Sequence, residues 1–347
     1  MSHLATWLIC CSFIQLIAPL ECLALQPLQA KDKSVAASSA LNISASPASP
    51  TQHHPGPTDN SGLSRIIGGY DAQEGEVPWQ VGLRQKDVDI LFCGGTLVSS
   101  RVVVTAAHCF NSDEDFFVGM GGLVTSSFPI KSQHTDIDII IHEKYRPSAS
   151  TPQYDIALII LDRDVTFSST VQPAALPWYE EDINDVTATT LISGWGHIDN
   201  DDNAAETLQV AEVQIWNQKE CVDAYKEAGN QVTGDMICAG YFDYSKDSCV
   251  GDSGGPLVVN TDNYDILAGI TSWGPKGECA KYGFPGVYTR VTSYVSWIRE
   301  KACDAGHCIP DIMTTTTIQQ TDTTAGANDV FTVNALILAM AYLVLVR

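Results

Sequence analysis

Short apolar runs bounded by turn residues dominate the middle of the chain. Val, Ile, Leu and Thr are concentrated in these runs, and Gly, Pro, Asn and Asp separate them. Clear examples are Arg101 to Thr105, Ile137 to Ile141, Ile156 to Leu161 and Leu257 to Asn260. Many short strands without alternating long helices predict an all-β barrel or sandwich between Ile66 and about Cys303.

One helix is predicted at the end of this region. Val291, Val295, Ile298 and Ala302 recur at the spacing of one face of an α-helix. The segment Val291 to Ala302 should therefore form a terminal helix that packs its apolar face on the barrel.

The first 65 residues have a different composition. An apolar run from Leu4 to Leu20, followed by small residues up to Ala24, predicts a secretory signal peptide over residues 1–24. No Lys or Arg precedes the run, so a buried N-terminal helix is the alternative. Residues 25–65 are rich in Ser, Ala and Pro, and such a segment buries too little apolar surface to offset its ordering entropy. We expect a flexible pro-segment there.

Beyond the barrel the chain becomes Thr-rich and then apolar. Residues 304–329 have the composition of a stalk, and Val330 to Val346 is an apolar tail that ends at Arg347. The tail is close to the lower limit of a spanning helix, and a basic cytoplasmic segment does not follow it. We therefore expect residues 330–347 to be a glycosylphosphatidylinositol-anchor signal, with a transmembrane helix or an interfacial segment as alternatives.

Charge and cysteine content indicate which partners and which cellular compartment to expect. The formal net charge is −22 and no block of Lys or Arg is present, so nucleic acid is not an expected partner. Eleven cysteines are present, and removal of the signal peptide leaves eight, an even number that suits disulfides in an oxidising compartment. The sequon Asn42-Ile43-Ser44 predicts glycosylation of Asn42, an unused sequon being the alternative. The chain is expected to be extracellular.

Three segments carry the candidate chemistry, in the order His, Asp, Ser. They are Val104-Thr105-Ala106-Ala107-His108-Cys109, Tyr154-Asp155-Ile156-Ala157-Leu158 and Gly251-Asp252-Ser253-Gly254-Gly255-Pro256. Each is weak alone, because a lone histidine is more often a packed or surface residue and Gly-rich turns are common. Together they resemble the trypsin and chymotrypsin family of serine peptidases, and the resemblance extends over residues 66–303.

The resemblance implies a fold and a set of catalytic roles. The fold would be two antiparallel six-stranded β-barrels with a C-terminal helix. A hydroxyl is a weak nucleophile near neutral pH, so it needs an adjacent base, and the base needs an orienting partner. Ser253, His108 and Asp155 match these roles in the family. Gly251 and Ser253 would supply the N–H groups of the oxyanion hole, and Ser272 would support the aspartate.

The resemblance also implies trypsin-like specificity. Asp247 matches the floor of the family's primary pocket, and Gly274 and Gly286 match its walls. A carboxylate at the floor implies cleavage after Arg or Lys. Val250 and the enlarged wall from Pro275 to Glu278 depart from digestive trypsins and should tune subsite preference. Chymotrypsin-like or elastase-like specificity, and a non-catalytic homologue that acts as a binding module, are the alternatives.

Activation from a zymogen follows from the same resemblance. Arg65-Ile66-Ile67-Gly68-Gly69 is similar to the family's activation junction, and cleavage after Arg65 would free the α-amino group of Ile66. That group would pair with Asp252. A buried carboxylate without its partner costs about 3–5 kcal/mol, so the pairing would order the pocket and oxyanion hole. Ala175 stands where many relatives tether the pro-segment, which should therefore leave after cleavage.

The resemblance also implies which disulfides, cofactors and partners to expect. By the family's pattern three pairs form, and the remaining two cysteines make a local pair: Cys93 with Cys109, Cys221 with Cys238, Cys249 with Cys279, and Cys303 with Cys308. No metal or other cofactor is expected, because Gly119 to Gln133, which matches trypsin's calcium loop, contains no carboxylate. The expected partners are protein or peptide substrates and protein protease inhibitors. The enzyme is expected to be a monomer at the outer cell surface.

Overall fold

The computed structural model describes residues 66–310, with gaps at 87–89, 112–114, 134–135, 148–150, 178–182, 184–188, 262–263 and 276. The predicted signal peptide, pro-segment, glycosylation site at Asn42, cleavage residue Arg65, most of the stalk and the apolar tail lie outside the described residues. Within the described part of the chain, no helix is long and apolar enough to cross a membrane.

Fourteen strands and two α-helices are found in the described residues. The strands are β1 Tyr70–Asp71, β2 Gln80–Gln85, β3 Leu91–Leu97, β4 Val102–Thr105, β5 Phe116–Met120, β6 Ile130–Gln133, β7 Asp138–Ile141, β8 Ala157–Ile160, β9 Thr190–Gly194, β10 Gln209–Ile215, β11 Met236–Gly240, β12 Pro256–Asn260, β13 Asp265–Trp273 and β14 Gly286–Arg290. The helices are α1 Gln218–Glu227 and α2 Val295–Asp304.

The strands form two antiparallel sheets, one in each half. The first sheet has the order β6-β5-β2-β3-β4-β8-β7, and the second has the order β1-β10-β11-β14-β13-β12-β9. Pairing of β10 with β9 closes six strands of the second sheet into a barrel. The predicted all-β class with a chymotrypsin-like architecture is therefore confirmed.

The strand count of the first half differs from the prediction of six. This half is a curled sheet of seven strands, and no ladder joins its edge strands β6 and β7 among the described residues. Both edge strands have only four residues and carry exposed positions. Short strands of this kind commonly end a sheet, because their outer backbone groups can be hydrated.

The apolar runs predicted from the sequence form the centre of the first sheet. All residues of β4 and β8 are buried, and the two strands pair with Val102 opposite Ile160 and Val104 opposite Leu158. Each such side chain contributes about 1.5–3 kcal/mol through burial. This packing fixes the ends of β4 and β8, where two of the candidate catalytic residues lie.

The predicted terminal helix is present with a later start. Val291–Ser293 form a 3₁₀ turn, and the α-helix begins at Val295. Its buried residues are Val295, Ile298 and Ala302, as their spacing predicted.

Helix α1 was not predicted. Only Cys221 and Tyr225 of that helix are buried, so its apolar pattern is too sparse to detect in the sequence.

Candidate active site

Paired strands bring His108 and Asp155 together. His108 lies on a 3₁₀ turn directly after β4, and Asp155 lies two residues before β8. The ladder between these strands places Thr105 opposite Ala157. The carboxylate of Asp155 accepts two hydrogen bonds from His108, one from Nδ1 at 2.7 Å and one from the backbone N–H at 2.9 Å.

Asp155 is only 1% exposed, and its oxygens are hydrogen-bonded from the second sheet as well. The hydroxyl of Ser272 donates to Oδ2 at 2.5 Å, and the hydroxyl of Thr289 donates to the carbonyl oxygen of Asp155 at 2.8 Å. A buried carboxyl group needs such hydrogen-bond partners to replace the water that burial removes. Ser272 therefore contacts the carboxylate of Asp155 directly.

The environment of His108 fits a general base. Burial of the ring lowers its pKa, but the hydrogen bond and the charge of Asp155 outweigh burial and raise the pKa of His108 above its usual value. With Nδ1 bonded to Asp155, the lone pair of the neutral ring is on Nε2. A neutral His108 can therefore accept a proton on the side away from the aspartate.

Ser253 is held against the histidine segment by its backbone. Its carbonyl oxygen accepts a hydrogen bond from the N–H of Gly94 at 2.7 Å and lies 3.8 Å from Sγ of Cys109, the neighbour of His108. Among the described residues no hydrogen bond joins the Ser253 hydroxyl to His108. Such contacts are often long in ligand-free sites and shorten when substrate is bound.

The turn before Ser253 offers unpaired donors. Neither the backbone N–H of Gly251 nor that of Ser253 has an acceptor among the described residues. Gly251 has φ +96°, and a Cβ at this position would lie 2.9 Å from Cα of Gly196, so the conformation requires glycine. Two free N–H groups at a glycine turn can bind an anionic oxygen.

A cavity of about 160 Å³ opens beside Ser253. It is lined by residues 247–250, 253, 271–275, 278, 279 and 286. Asp247 is 3% exposed; its Oδ2 accepts a hydrogen bond from the N–H of Ala280 at 3.0 Å, and its Oδ1 has no hydrogen-bond partner among the residues that the structure describes. Burial raises the pKa of Asp247 to about 7, although backbone hydrogen bonds oppose the shift.

The glycines predicted as walls differ in their surroundings. A Cβ on Gly286 would lie 2.7 Å from Oδ1 of Asp247, whereas a Cβ on Gly274 would meet nothing within 4 Å. Gly286 therefore makes room for the carboxylate, and Gly274 faces open space. A larger cavity of about 570 Å³ lies beside the end of α2, but it contains none of the candidate catalytic residues.

The activation residues are placed as follows. Ile66 is fully buried in the core of the second barrel, and the carbonyl oxygen of Ile67 accepts a hydrogen bond from the N–H of Asp247 at 3.3 Å. The carboxylate of Asp252 accepts from the N–H groups of Gly196 at 2.8 Å and Cys249 at 2.9 Å. Burial raises the pKa of Asp252 to about 6. No ion pair between Ile66 and Asp252 is found in this part of the structure.

All four expected cysteine pairs are joined as disulfides. Cys93–Cys109 ties β3 to the turn that carries His108, and Cys249–Cys279 ties two walls of the cavity together. The sulfurs of Cys93 and Cys109 lie close to His108, but they are bonded to each other and offer no thiolate to a metal.

Two contributors to the site were missed in the sequence. Gly94 holds the Ser253 carbonyl, and a Cβ at Gly94 would lie 2.9 Å from Cα of Gly255. The glycine pair after Cys93 was the available signal, because glycine inside a strand often marks a close backbone approach. Thr289, which bonds the Asp155 carbonyl, had no such signal in its strand.

A curled antiparallel sheet and a closed six-stranded barrel, with a histidine, a buried aspartate and a serine at their junction, define a serine peptidase of chymotrypsin-like fold. The profile of the trypsin family matches residues 66–298. The chain belongs to the trypsin family of serine peptidases.

Three relatives show how far the similarity extends. Trypsin 5G1 of Aedes aegypti is 40% identical over 244 residues, which are 68% of this chain and 84% of that protein. Trypsin II-P29 of Gallus gallus is 40% identical over 247 residues, which are 71% of this chain and 91% of that protein. Transmembrane protease serine 11C of Mus musculus is 39% identical over 242 residues, which are 68% of this chain and 53% of that protein.

Proposed function

We propose that this serine endopeptidase is an extracellular zymogen whose active form cleaves peptide bonds after Arg or Lys. The observation that carries the specificity is Oδ1 of Asp247, which is buried in the cavity beside Ser253 and has no hydrogen-bond partner in the described part of the chain. A cationic side chain would supply the missing partner. An aromatic or small aliphatic side chain would leave a buried carboxylate unpaired, which disfavours chymotrypsin-like or elastase-like specificity.

The catalytic steps follow from the arrangement of donors and acceptors. Oγ of Ser253 attacks the substrate carbonyl while Nε2 of His108 takes the hydroxyl proton, and Asp155 stabilises the imidazolium that forms. The N–H groups of Gly251 and Ser253 bind the oxyanion, and one such donor is worth about 3 kcal/mol. His108 then protonates the leaving amine, and water hydrolyses the acyl-enzyme by the same route. No metal or other cofactor takes part in these proposed steps.

Activation would couple the chain terminus to the pocket. Cleavage after Arg65 gives Ile66 an ammonium group, and Asp252 is the buried carboxylate available for it. The hydrogen bond between Ile67 and Asp247 links the same segment to the cavity. An ammonium partner would also hold Asp252 ionised, since an opposite charge lowers the pKa that burial has raised.

Library profiling tests this function. We expect enzyme cleaved after Arg65 to cut peptides after Arg and Lys about 10²-fold or more in preference to other residues, because a buried polar partner discriminates strongly. The matched control is Arg65→Gln, which should remain an intact precursor with at most about one hundredth of the activity. Preference for aromatic residues would contradict the specificity, and full activity of the uncleaved variant would contradict the zymogen.

The pH dependence should separate the two titrating groups. The raised pKa of His108 means that the neutral base is lost as pH falls through a value above 6.5. The pKa of Asp247 is about 7, so the empty cavity loses its negative charge in the same range. We expect log kcat/KM for Arg substrates to fall with a slope approaching two below about pH 6, and log kcat to fall with a slope of one.

The two slopes differ because Asp247 is paired in the enzyme–substrate complex and unpaired in the free enzyme. A bound Arg or Lys holds its carboxylate ionised, so kcat reports His108 alone, whereas kcat/KM reports the free enzyme. Asp247→Asn should reduce the slope of kcat/KM to one. A slope of one that this variant leaves unchanged would show that Asp247 does not titrate in this range.

Location is proposed from the sequence. The apolar tail at 330–347 supports lipid anchoring at the outer cell surface, where protein substrates and protein inhibitors would reach a monomeric enzyme. Treatment of intact cells with phosphatidylinositol-specific phospholipase C should release at least about half of the activity. Retention of all activity, under conditions that release another anchored protein, would favour the transmembrane alternative.

A further inference from the structure

A side chain from a distant loop bonds the wall of the substrate cavity. Asn200 Oδ1 accepts a hydrogen bond from the N–H of Cys279 at 2.9 Å, and Nδ2 of Asn200 donates to the carbonyl oxygen of Cys279 at 3.5 Å. Cys279 lines the cavity and is also fixed by its disulfide to Cys249. The loop from His197 to Asn203 is therefore attached to the wall at two points.

One of the three acidic residues of this loop forms hydrogen bonds within the loop and stabilises its conformation. Asp199 accepts hydrogen bonds from the N–H of Asp201 at 2.9 Å, the N–H of Asn203 at 3.3 Å and Nδ2 of Asn203 at 2.7 Å. Asp201 and Asp202 are exposed, and Asp202 is 89% exposed with His197 Nδ1 at 3.3 Å. Two carboxylates are thus presented to solvent by a loop that Asn200 holds on the cavity wall.

A further carboxylate stands on the cavity wall itself. Glu278 precedes Cys279, lines the cavity and is 54% exposed, so it lies toward the mouth, whereas Asp247 is 3% exposed at the floor. Among the described residues, Glu278 forms an ion pair with Lys281, whose Nζ is 3.8 Å from Glu278 Oε2. In the same cavity, Oδ1 of Asp247 has no hydrogen-bond partner among the described residues, which independently favours a cationic ligand.

We infer that Glu278, Asp201 and Asp202 form an acidic rim that selects substrates with a second basic residue within three positions of the scissile bond. This inference rests on the proposed cleavage after Arg or Lys. Residues flanking the one that occupies the cavity must pass its mouth. Glu278 lines the cavity, and Asn200 holds the loop that carries Asp201 and Asp202 against the cavity wall at Cys279. Exposed charge pairs of this kind are weak and screened by salt, so the preference should be several-fold rather than absolute.

The test uses peptides that all carry Arg at the position cleaved. Arg, Gln or Glu is placed in turn at each of three positions on either side, and kcat/KM is measured at low and high salt. At one position or more we expect Arg to exceed Glu by about tenfold at low salt and by about threefold or less at 1 M salt. The position that responds identifies the subsite served by the rim.

Matched variants assign the preference to the rim. Glu278→Gln should reduce the Arg-to-Glu ratio about threefold, and Asn200→Ala should reduce it by releasing the loop with Asp201 and Asp202. Glu300→Gln makes the same charge change on the exposed face of α2 and should leave the ratio unchanged. An equal effect of Glu278→Gln and Glu300→Gln would overturn the inference, because net charge would then explain the preference.

The two possible failures give different results. If the peptides with Arg at the cleaved position are hydrolysed at equal rates whatever their neighbours, the acidic rim is wrong and the proposed function stands. If none of these peptides is hydrolysed while peptides with another residue at that position are, the proposed function itself is wrong.

Discussion

Replacing Ser253 with alanine is expected to lower peptide hydrolysis by roughly 10⁴- to 10⁶-fold and to leave a folded, secreted protein. The change removes the nucleophilic oxygen alone. The contact that positions this residue is a backbone one, from the N–H of Gly94 to the Ser253 carbonyl oxygen at 2.7 Å, and alanine retains it. The measurement is kcat with an Arg peptide, together with the thermal unfolding midpoint.

A second serine provides the control. Ser132 in β6 is buried, and its hydroxyl donates to Oδ1 of Asp162 at 2.8 Å; neither residue belongs to the three motifs. Ser132→Ala should cost about 1 kcal/mol of unfolding free energy and retain turnover. Undiminished hydrolysis by Ser253→Ala would exclude this residue as the nucleophile and return the non-catalytic alternative to consideration.

Replacing Asp247 with serine is expected to abolish the preference for Arg and Lys. A guanidinium or ammonium would enter a buried cavity without a counter-charge, and an unpaired buried charge costs about 3–5 kcal/mol, equivalent to about 10²- to 10⁴-fold in kcat/KM. Peptides with neutral residues at the cleaved position should lose little, since they do not use the carboxylate. The measurement is the ratio of kcat/KM between Arg and Phe peptides.

Two further variants separate charge from packing. Asp247→Asn keeps the size of the side chain and should lose the preference as fully as serine does. Asp243→Ser removes an exposed aspartate from the loop before the cavity and should leave the ratio unchanged. If Asp247→Asn still favours Arg over Phe by a wide margin, the specificity comes from some other feature of the cavity.

Local patterns in the sequence predicted the elements well and their long-range partners poorly. The apolar runs became β4, β7, β8 and β12 with shifts of one residue at the ends, because burial imposes its pattern along a single strand. Which strands pair is decided by chain segments far apart. That is why the resemblance, and not periodicity, predicted two barrels, and why the seventh strand of the first sheet was not anticipated.

The residues of the candidate site also differ in how well the sequence predicts them. His108, Asp155, Ser253 and Asp247 stand in short motifs whose residue types are themselves the signal. Asn200 had no signal, since an exposed asparagine in an acidic loop is typical of any turn, and its hydrogen bonds to Cys279 join positions 79 apart in the chain. Contacts that use backbone atoms of a distant segment leave little trace in residue identity.

The location of the site between the sheets has a mechanical consequence. His108 and Asp155 lie beside strands of the first sheet, and Ser253 lies just before β12 of the second. Several hydrogen bonds cross the junction, among them the buried one from Ser193 Oγ to Gln80 Oε1 at 2.6 Å and the one from the N–H of Gly94 to the Ser253 carbonyl oxygen at 2.7 Å. A relative displacement of about one ångström between the two halves would separate the nucleophile from the base. Activity should therefore depend on the relative position of the two halves as well as on their separate stability, and a ligand that displaced one half would inhibit the enzyme from outside the substrate cavity.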